Sequence, residues 1–416
     1  MTERIRLLHF ADIHVGMENY GHLDSATGIN SRVIDFLRRF DEVIDYGLSH
    51  EADVMLFAGD AFKTRDPSPT LQREFARRVK RIIDAGVPLV LLVGNHDLPA
   101  MEKKASSIDI YRTLAVPNVI VGWEEAVHRV QTKRGVVQIA TAPYPMRSRL
   151  MARDEHKGKS VEALDRALQE IVGDNIRALA EQLDPALPAV LTGHFTISGA
   201  TFGSERSVMI GRDVAVLKSV LADPRWDYVA LGHVHKHQNL QPANDYPAIV
   251  YSGSLERIDF GEEREAKGFC WVDVERGRTT WQFVEVNARV FKTIGVDVRE
   301  ADDVTLAAQA ELAGHEVKGV IVRVIIRMRP EQEASLRERD VRAVLRPADH
   351  IATITKDVTR VERARLGGHK PEGLTPLELL DRYFASKTVS EERQRVLLER
   401  AQGIMEHDAR SAEGEA

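Results

Sequence analysis

The 416-residue chain holds a single cysteine, Cys270, so no internal disulfide can staple it. That scarcity also excludes a structural zinc site built on several thiolates. Cys270 lies in the apolar run 268–274, where its expected role is that of a small buried strand residue. No stretch reaches the roughly 20 apolar residues of a membrane span. At the amino terminus the run Ile5–Phe10 is too short for a signal-peptide core and meets Asp12 at once, so a cytoplasmic protein without membrane contact is expected. Positive charge is not in excess either. Against 63 Asp and Glu stand 57 Lys and Arg, a formal net charge of −6. This excludes a uniformly basic nucleic-acid binder but leaves room for local basic patches. No internal repeat is present. The 43% hydrophobic and 29% charged fractions describe a globular chain, long enough for two domains and an appendage.

Against these absences stand five polar clusters: Asp12-Ile13-His14, Gly59-Asp60, Gly94-Asn95-His96-Asp97, Gly193-His194 and Gly232-His233-Val234-His235. Each follows an apolar run of strand character: Ile5–Ala11, Val54–Ala58, Val87–Val93, Ala189–Thr192 and Tyr228–Leu231. A single Gly-Asp or Gly-His after a strand is ordinarily a turn or a cap. Five at strand ends are another matter, because the carboxyl ends of strands in an open α/β sheet converge on one crevice. The donors Asp, Asn and His suit a pair of ions such as Mn²⁺, Fe²⁺ or Zn²⁺.

Residues 1 to about 287 alternate apolar runs with helical patterns over 34–47, 71–85 and 161–183, which predicts an α/β core, a two-sheet sandwich flanked by helices. A smaller α/β unit is expected over 288–365, with strands at 290–298, 317–328 and 358–364 and helices at 302–313 and 331–345. Residues 366–373 have linker composition. Thr375-Pro376-Leu377-Glu378 then forms a capping box, with Leu374 and Leu379 placed as a hydrophobic staple, and opens a helical pair over 374–406. The apolar stripes Leu377, Leu380, Phe384 and Leu397, Leu398, Ala401, Met405 suit either packing on the parent domain or docking on a partner. Residues 407–416 are polar, and disorder is expected there.

In a two-ion site Asp60 is the natural bridge, since a carboxylate can offer one oxygen to each ion. Asp12, His14 and one imidazole of the His233/His235 pair would complete one shell. Asn95, His194 and the other imidazole would complete the second. Two divalent ions acidify water for in-line attack on phosphorus, so neither a Ser nor a Cys nucleophile is needed. His96 could protonate the leaving oxygen, with Asp97 orienting its ring. His237 continues the pattern as a rim residue, and the basic stretch 147–159 (Arg147, Arg149, Arg153, Lys157, Lys159) is more often a solvated face than a DNA contact.

The series Asp-x-His, Gly-Asp, Gly-Asn-His-Asp, Gly-His and Gly-His-x-His, with His9-Phe10-Ala11 before it and Tyr251-Ser252-Gly253-Ser254 after it, resembles the calcineurin-like metallophosphoesterase superfamily. Within it the chain is similar to the branch of double-strand-break repair nucleases. That resemblance implies an ion at Asp12, His14, Asp60 and His235, a second at Asp60, Asn95, His194 and His233, and His96 as the catalytic histidine. It implies two divalent ions with manganese the expected metal, DNA as substrate for exonuclease and endonuclease action, and a small capping domain. It further implies a helical tail that grips a coiled-coil ATPase, and a homodimer within a heterotetramer. Lys63 stands where some relatives carry a histidine or aspartate, which bears on exonuclease polarity. A phosphatase or small-nucleotide phosphodiesterase of the same superfamily is the alternative expectation.

Overall fold

A computed structural model describes residues 4–99, 104–145, 160–203, 215–242, 245–358, 375–387 and 389–413. The basic stretch 147–159, the staple residue Leu374 and the linker 366–373 lie outside the described residues.

Two six-stranded sheets carry the core. The first is built from β1 (Ile5–Phe10), β2 (Val54–Phe57), β3 (Leu89–Leu92), β4 (Val119–Gly122), β13 (Gly268–Val274) and β14 (Thr280–Glu285), in the order β14-β13-β1-β2-β3-β4. The second is built from β5 (Ala126–Thr132), β6 (Gly135–Ala142), β7 (Ala189–His194), β10 (Tyr228–Gly232), β11 (Gln238–Asn239) and β12 (Ala248–Tyr251), in the order β11-β12-β10-β7-β6-β5. Two short strands, β8 (Thr196–Ile197) and β9 (Ala215–Val216), pair with one another.

The two-residue period of a strand explains the layering. Leu7 of β1 and Ala11 just after it face the second sheet, where they meet Val190, Tyr228 and Val250. Leu8 and Phe10 face the other way, onto α1 (Ser31–Ser49) and α2 (Pro69–Asp84). Phe36, Phe40, Val43 and Ile44 form the buried stripe of α1, and Phe75, Val79 and Ile82 that of α2, each at three- and four-residue spacing. Leu164, Leu168, Val172, Ile176 and Leu179 of α3 (Val161–Glu181) cover the outer face of the second sheet in the same manner. Both sheets are thus covered on both faces, which is why their central strands are apolar throughout. This is the expected two-sheet sandwich flanked by helices.

Beyond Ala288 the sequence expectation is met in part. β15 (Phe291–Asp297), β16 (Ile321–Met328) and β17 (His350–Val358) form a three-stranded sheet in that order. The third strand was expected over 358–364. It lies earlier, and 359–364 are outside the described residues. The single helix expected over 331–345 is broken into a 3-10 turn, Pro330–Ser335, and a helix, Glu338–Val344. Leu336 is extended between them. The Gln332 side chain causes the tight turn by donating to the carbonyls of Val298 and Ala301 while accepting from the Arg329 amide. Helix α4 (Val304–Ala313) forms within two residues of its expected limits.

The chain divides into two compact units. One comprises residues 1–296, 309–325 and 338–355, and the other 297–308, 326–337 and 356–416. The second unit includes α5 (Pro376–Ser386) and α6 (Glu391–Glu413). The Thr375 amide donates to Glu378 Oε2 at 2.7 Å, and the Glu378 amide returns to Thr375 Oγ1 at 3.3 Å, closing the capping box. Gln394 of α6 donates to Asp381 of α5 at 2.6 Å. No described helix is long and apolar enough to cross a membrane.

Candidate metal centre

All five clusters sit at the carboxyl ends of strands that are neighbours in their sheets. β1, β2 and β3 pair in parallel, as do β7 and β10, with Gly232 opposite His194 in register. Because the sheets stack face to face, these ends bring seven side chains into one buried cleft. Among them Asp12, His14, Asp60, His194, His233 and His235 are all buried.

The local backbone is shaped for this. Asp12, His14, Asp60 and His233 all have positive φ, at 52°, 47°, 64° and 93°. Non-glycine residues hold such angles at a cost of order 1–3 kcal/mol each, and do so where the surroundings over-determine them. The glycines beside these residues answer close approach, and Gly59 a positive φ of 102° as well. A Cβ on Gly94 would lie 2.5 Å from the Asp60 amide nitrogen, and one on Gly59 would lie 2.3 Å from His194 Nδ1.

Side-chain geometry divides the candidate ligands into two groups around Asp60. On one side, His14 Nε2 faces His235 Nε2 at 3.0 Å. At most one of these nitrogens can carry a proton toward the other, so at least one lone pair points into the space between them. Asp12, His14 and His235 have donor atoms within 4.8 Å of one another. On the other side, Asn95 Oδ1 lies 3.0 Å from His194 Nε2 and 2.9 Å from His233 Nδ1. Asp60 Oδ2 stands between the groups, 3.8 Å from His14 Nε2 and 3.3 Å from His194 Nε2. Its other oxygen, Oδ1, accepts the His96 amide at 2.8 Å. Thus Oδ2 of Asp60 lies toward both groups.

Charge in this cleft is far from its aqueous balance. Burial raises the Asp12 pKa and pushes that of His14 well below its ordinary value. Burial also opposes ionisation of Asp60, yet the surrounding His194, His96 and His14 imidazoles outweigh it and hold the carboxyl well below its usual range. For His194, burial is overcome by Asp60 and Asp12, which push the imidazole up to about 9. Buried carboxylates and clustered imidazole lone pairs are what hard-to-borderline divalent cations satisfy. The residues present therefore fit such ions.

Outer contacts fix the ligand rings. His194 Nδ1 bonds the Ala58 carbonyl at 2.7 Å, which turns Nε2 toward Asn95 and Asp60. His235 Nδ1 lies 3.0 Å from Glu262 Oε1. Glu262 also accepts the Ile258 amide at 2.9 Å and pairs with the buried Lys267 ammonium at 2.9 Å. Glu262 and Lys267 were not singled out from the sequence. They fall in the charged run 262–267, and only folding buries them. No sequence signal separates them from Glu263 and Arg264 beside them.

The expected partnership of Asp97 with His96 is not found. Asp97 is fully buried, and its carboxylate accepts the amides of Asp60, Ala61 and Gly94 at 2.9–3.0 Å. It ties the second cluster to the third. His96 instead bonds through Nδ1 to the Lys63 carbonyl at 2.7 Å, with its ring 4.9 Å from that of His14. The three donors of His14, Asp60 and His96 lie within 4.8 Å of one another. Sequence reading missed the Lys63 carbonyl because every residue carries one. His237 points away from the ligands, bonding the Tyr251 carbonyl at 2.9 Å. Tyr144, also unforeseen, sets its ring 5.6 Å from that of His233.

Fold and site together define a metal-dependent phosphoesterase. The sequence pattern of the calcineurin-like phosphoesterases matches residues 5–237, over half of the chain, and the chain belongs to that family. It is similar to the SbcD component of the nuclease SbcCD from Bacillus subtilis (strain 168), 27% identical over 297 residues that cover 67% of this chain and 69% of that one. It is likewise similar to the SbcD component of the nuclease SbcCD from Escherichia coli (strain K12), 26% identical over 315 residues, 74% of each chain. Among solved structures, TT1561 of Thermus thermophilus aligns with a TM-score of 0.39 at 11% identity, over 68% of this chain and 99% of that one.

Proposed function

We propose that this chain is a DNA nuclease whose centre holds two divalent cations, manganese in the first instance, and that it acts with an SbcC-type coiled-coil ATPase. The observation that carries the reading is the single Asp60 oxygen set between two ligand groups, on a chain similar to nuclease components over most of its length. Asp12, His14 and His235 would hold one ion and Asn95, His194 and His233 the other, with Asp60 shared between them. Such ions supply Lewis-acid charge and lower the pKa of water toward neutrality.

The chain's own residues then divide the remaining work. Asn95 contributes a neutral oxygen, which keeps the centre electrophilic toward a phosphodiester. Asp97 and the glycines hold the ligand loops at their separations. With Nδ1–H donated to the Lys63 carbonyl, His96 keeps Nε2 for the reaction, and as the imidazolium it passes the Nε2 proton to the departing oxygen, leaving neutral imidazole. Residues 288–365 serve as a capping region for DNA. The helical pair serves as the ATPase contact, since all its residues of described burial are half-buried or exposed, Ile404 at 65%. The test compares manganese-dependent cleavage of a single-stranded DNA circle with hydrolysis of bis(p-nitrophenyl) phosphate. Cleavage of the circle supports the nuclease. Hydrolysis of the small ester with an intact circle refutes it.

A further inference from the structure

Directly after the ligand His235, the chain turns away from the metal cleft and lines a cavity of about 510 Å³. Its walls include Phe202, Lys236, His237, Arg264, Glu265 and Phe283. Consecutive Cα atoms are about 3.8 Å apart, so Lys236 and His237 place the cavity within about 8 Å of the His235 backbone.

The wall is rigid. His237 stacks on Phe283 with ring centroids 3.9 Å apart and planes 14° from parallel, while its Nδ1 is held by the Tyr251 carbonyl. The carbonyl of His235 is fixed by the Ser254 amide at 3.0 Å and the Lys267 ammonium at 3.2 Å. A Cβ on Gly253 would sit 2.7 Å from both that carbonyl oxygen and the His237 amide, so the turn tolerates no side chain there.

The rim is cationic. Among the described residues Lys236 and Arg264 make no ion pair, whereas the carboxylate of Glu265 is engaged by Lys267 at 3.0 Å. Two such cations beside stacked rings match the two faces of a nucleotide, an anionic phosphate and a flat base. The volume lies within the usual range of roughly 300–1,000 Å³ for small-molecule sites.

We propose that this cavity is a nucleotide subsite, taking one unstacked nucleotide of the strand that runs to the metal centre. Its base lies against the aromatic wall of His237, Phe283 and Phe202, and its phosphate between Lys236 and Arg264. The inference rests on the nuclease reading for the identity of the strand, but its test does not.

The full-length chain is assayed with Mn²⁺ on bis(p-nitrophenyl) phosphate, with thymidine 5′-monophosphate or 2-deoxyribose 5-phosphate added as inhibitor. The nucleotide should inhibit about tenfold more strongly than the sugar phosphate, the scale of one base–aromatic stack. Arg264→Ala, at an exposed position, should weaken inhibition by both compounds several-fold, and Arg264→Lys should restore most of it. Phe283→Leu should erase the preference for the nucleotide. Equal inhibition of the unaltered chain by both compounds overturns the proposal, as does an Arg264→Ala variant with unchanged inhibition. Should the DNA circle stay intact while the nucleotide preference appears, the nuclease reading falls and the subsite stands. Should the circle be cut with no such preference, the reverse holds.

Discussion

Replacing Glu262 by Gln should loosen the metal centre without touching any ligand. Glu262 is fully buried and spends its charge on two neighbours, the His235 imidazole at 3.0 Å and the Lys267 ammonium at 2.9 Å. Although burial disfavours its ionised form, Lys267 and His235 hold its pKa well below the ordinary carboxylate range. The carboxylate therefore makes His235 more basic and fixes its tautomer, with Nε2 turned to the ion. Removing such an outer partner typically costs 10–100-fold in metal affinity, or about 1.4–2.7 kcal/mol. Stability should fall too, since an uncompensated buried cation costs about 3–5 kcal/mol. Here the loss should sit toward the lower end, because Glu265 still pairs with Lys267 at 3.0 Å. The two effects separate in a Glu262→Gln, Lys267→Met double variant, which should regain stability while its metal affinity stays low. Calorimetric titration of the metal-free chain with Mn²⁺ reads affinity, and thermal unfolding without metal reads stability. Wild-type Mn²⁺ affinity at both sites in Glu262→Gln would refute the reasoning, because the carboxylate would then serve only packing.

Asp60→Ala removes the only proposed bridge, and metal analysis should show at least one of two ions lost; full occupancy of both would place the bridge elsewhere. His96→Ser should keep both ions, seen by anomalous scattering, while strand cleavage falls by roughly 10²–10⁴-fold; near-normal turnover would remove His96 from the chemistry. Gly94→Ala should weaken metal binding and stability together, since its Cβ would press on the Asp60 backbone at 2.5 Å; an unperturbed melting temperature would count against that contact. A chain ending at Gly373 should fold, bind metal and retain basal cleavage while losing co-purification with the ATPase. Persistent tight association would place the contact outside the helical pair.

The gathering of the seven candidate ligands was legible in the sequence because each follows a strand end, and strand ends are marked locally by apolar runs that stop at Gly, Asp or His. The capping box at Thr375–Glu378 was equally local, and it is present. Periodicity likewise located α1, α2 and α3 to within a few residues. Where a side chain reached beyond its own segment, local reading failed. Gln332 breaks a helical pattern by turning to carbonyls some thirty residues earlier in the chain. Asp97 was given to its neighbour His96 on adjacency alone, yet its carboxylate faces the amides of Asp60 and Ala61, 37 and 36 residues away.

The sequence by itself determined which residues could bind metal, and in what order the strands present them. Hydrophobic period and turn chemistry act over a few residues, and these suffice for that much. Only the tertiary structure decided how the ligands divide around Asp60, which oxygen faces both groups, and what orients each ring. Those choices depend on the stacking of two sheets whose contributing residues are more than 200 positions apart, as His14 and His235 are. It also decided that Glu262 and Lys267 are buried, because burial belongs to the packed whole and is carried by no short segment.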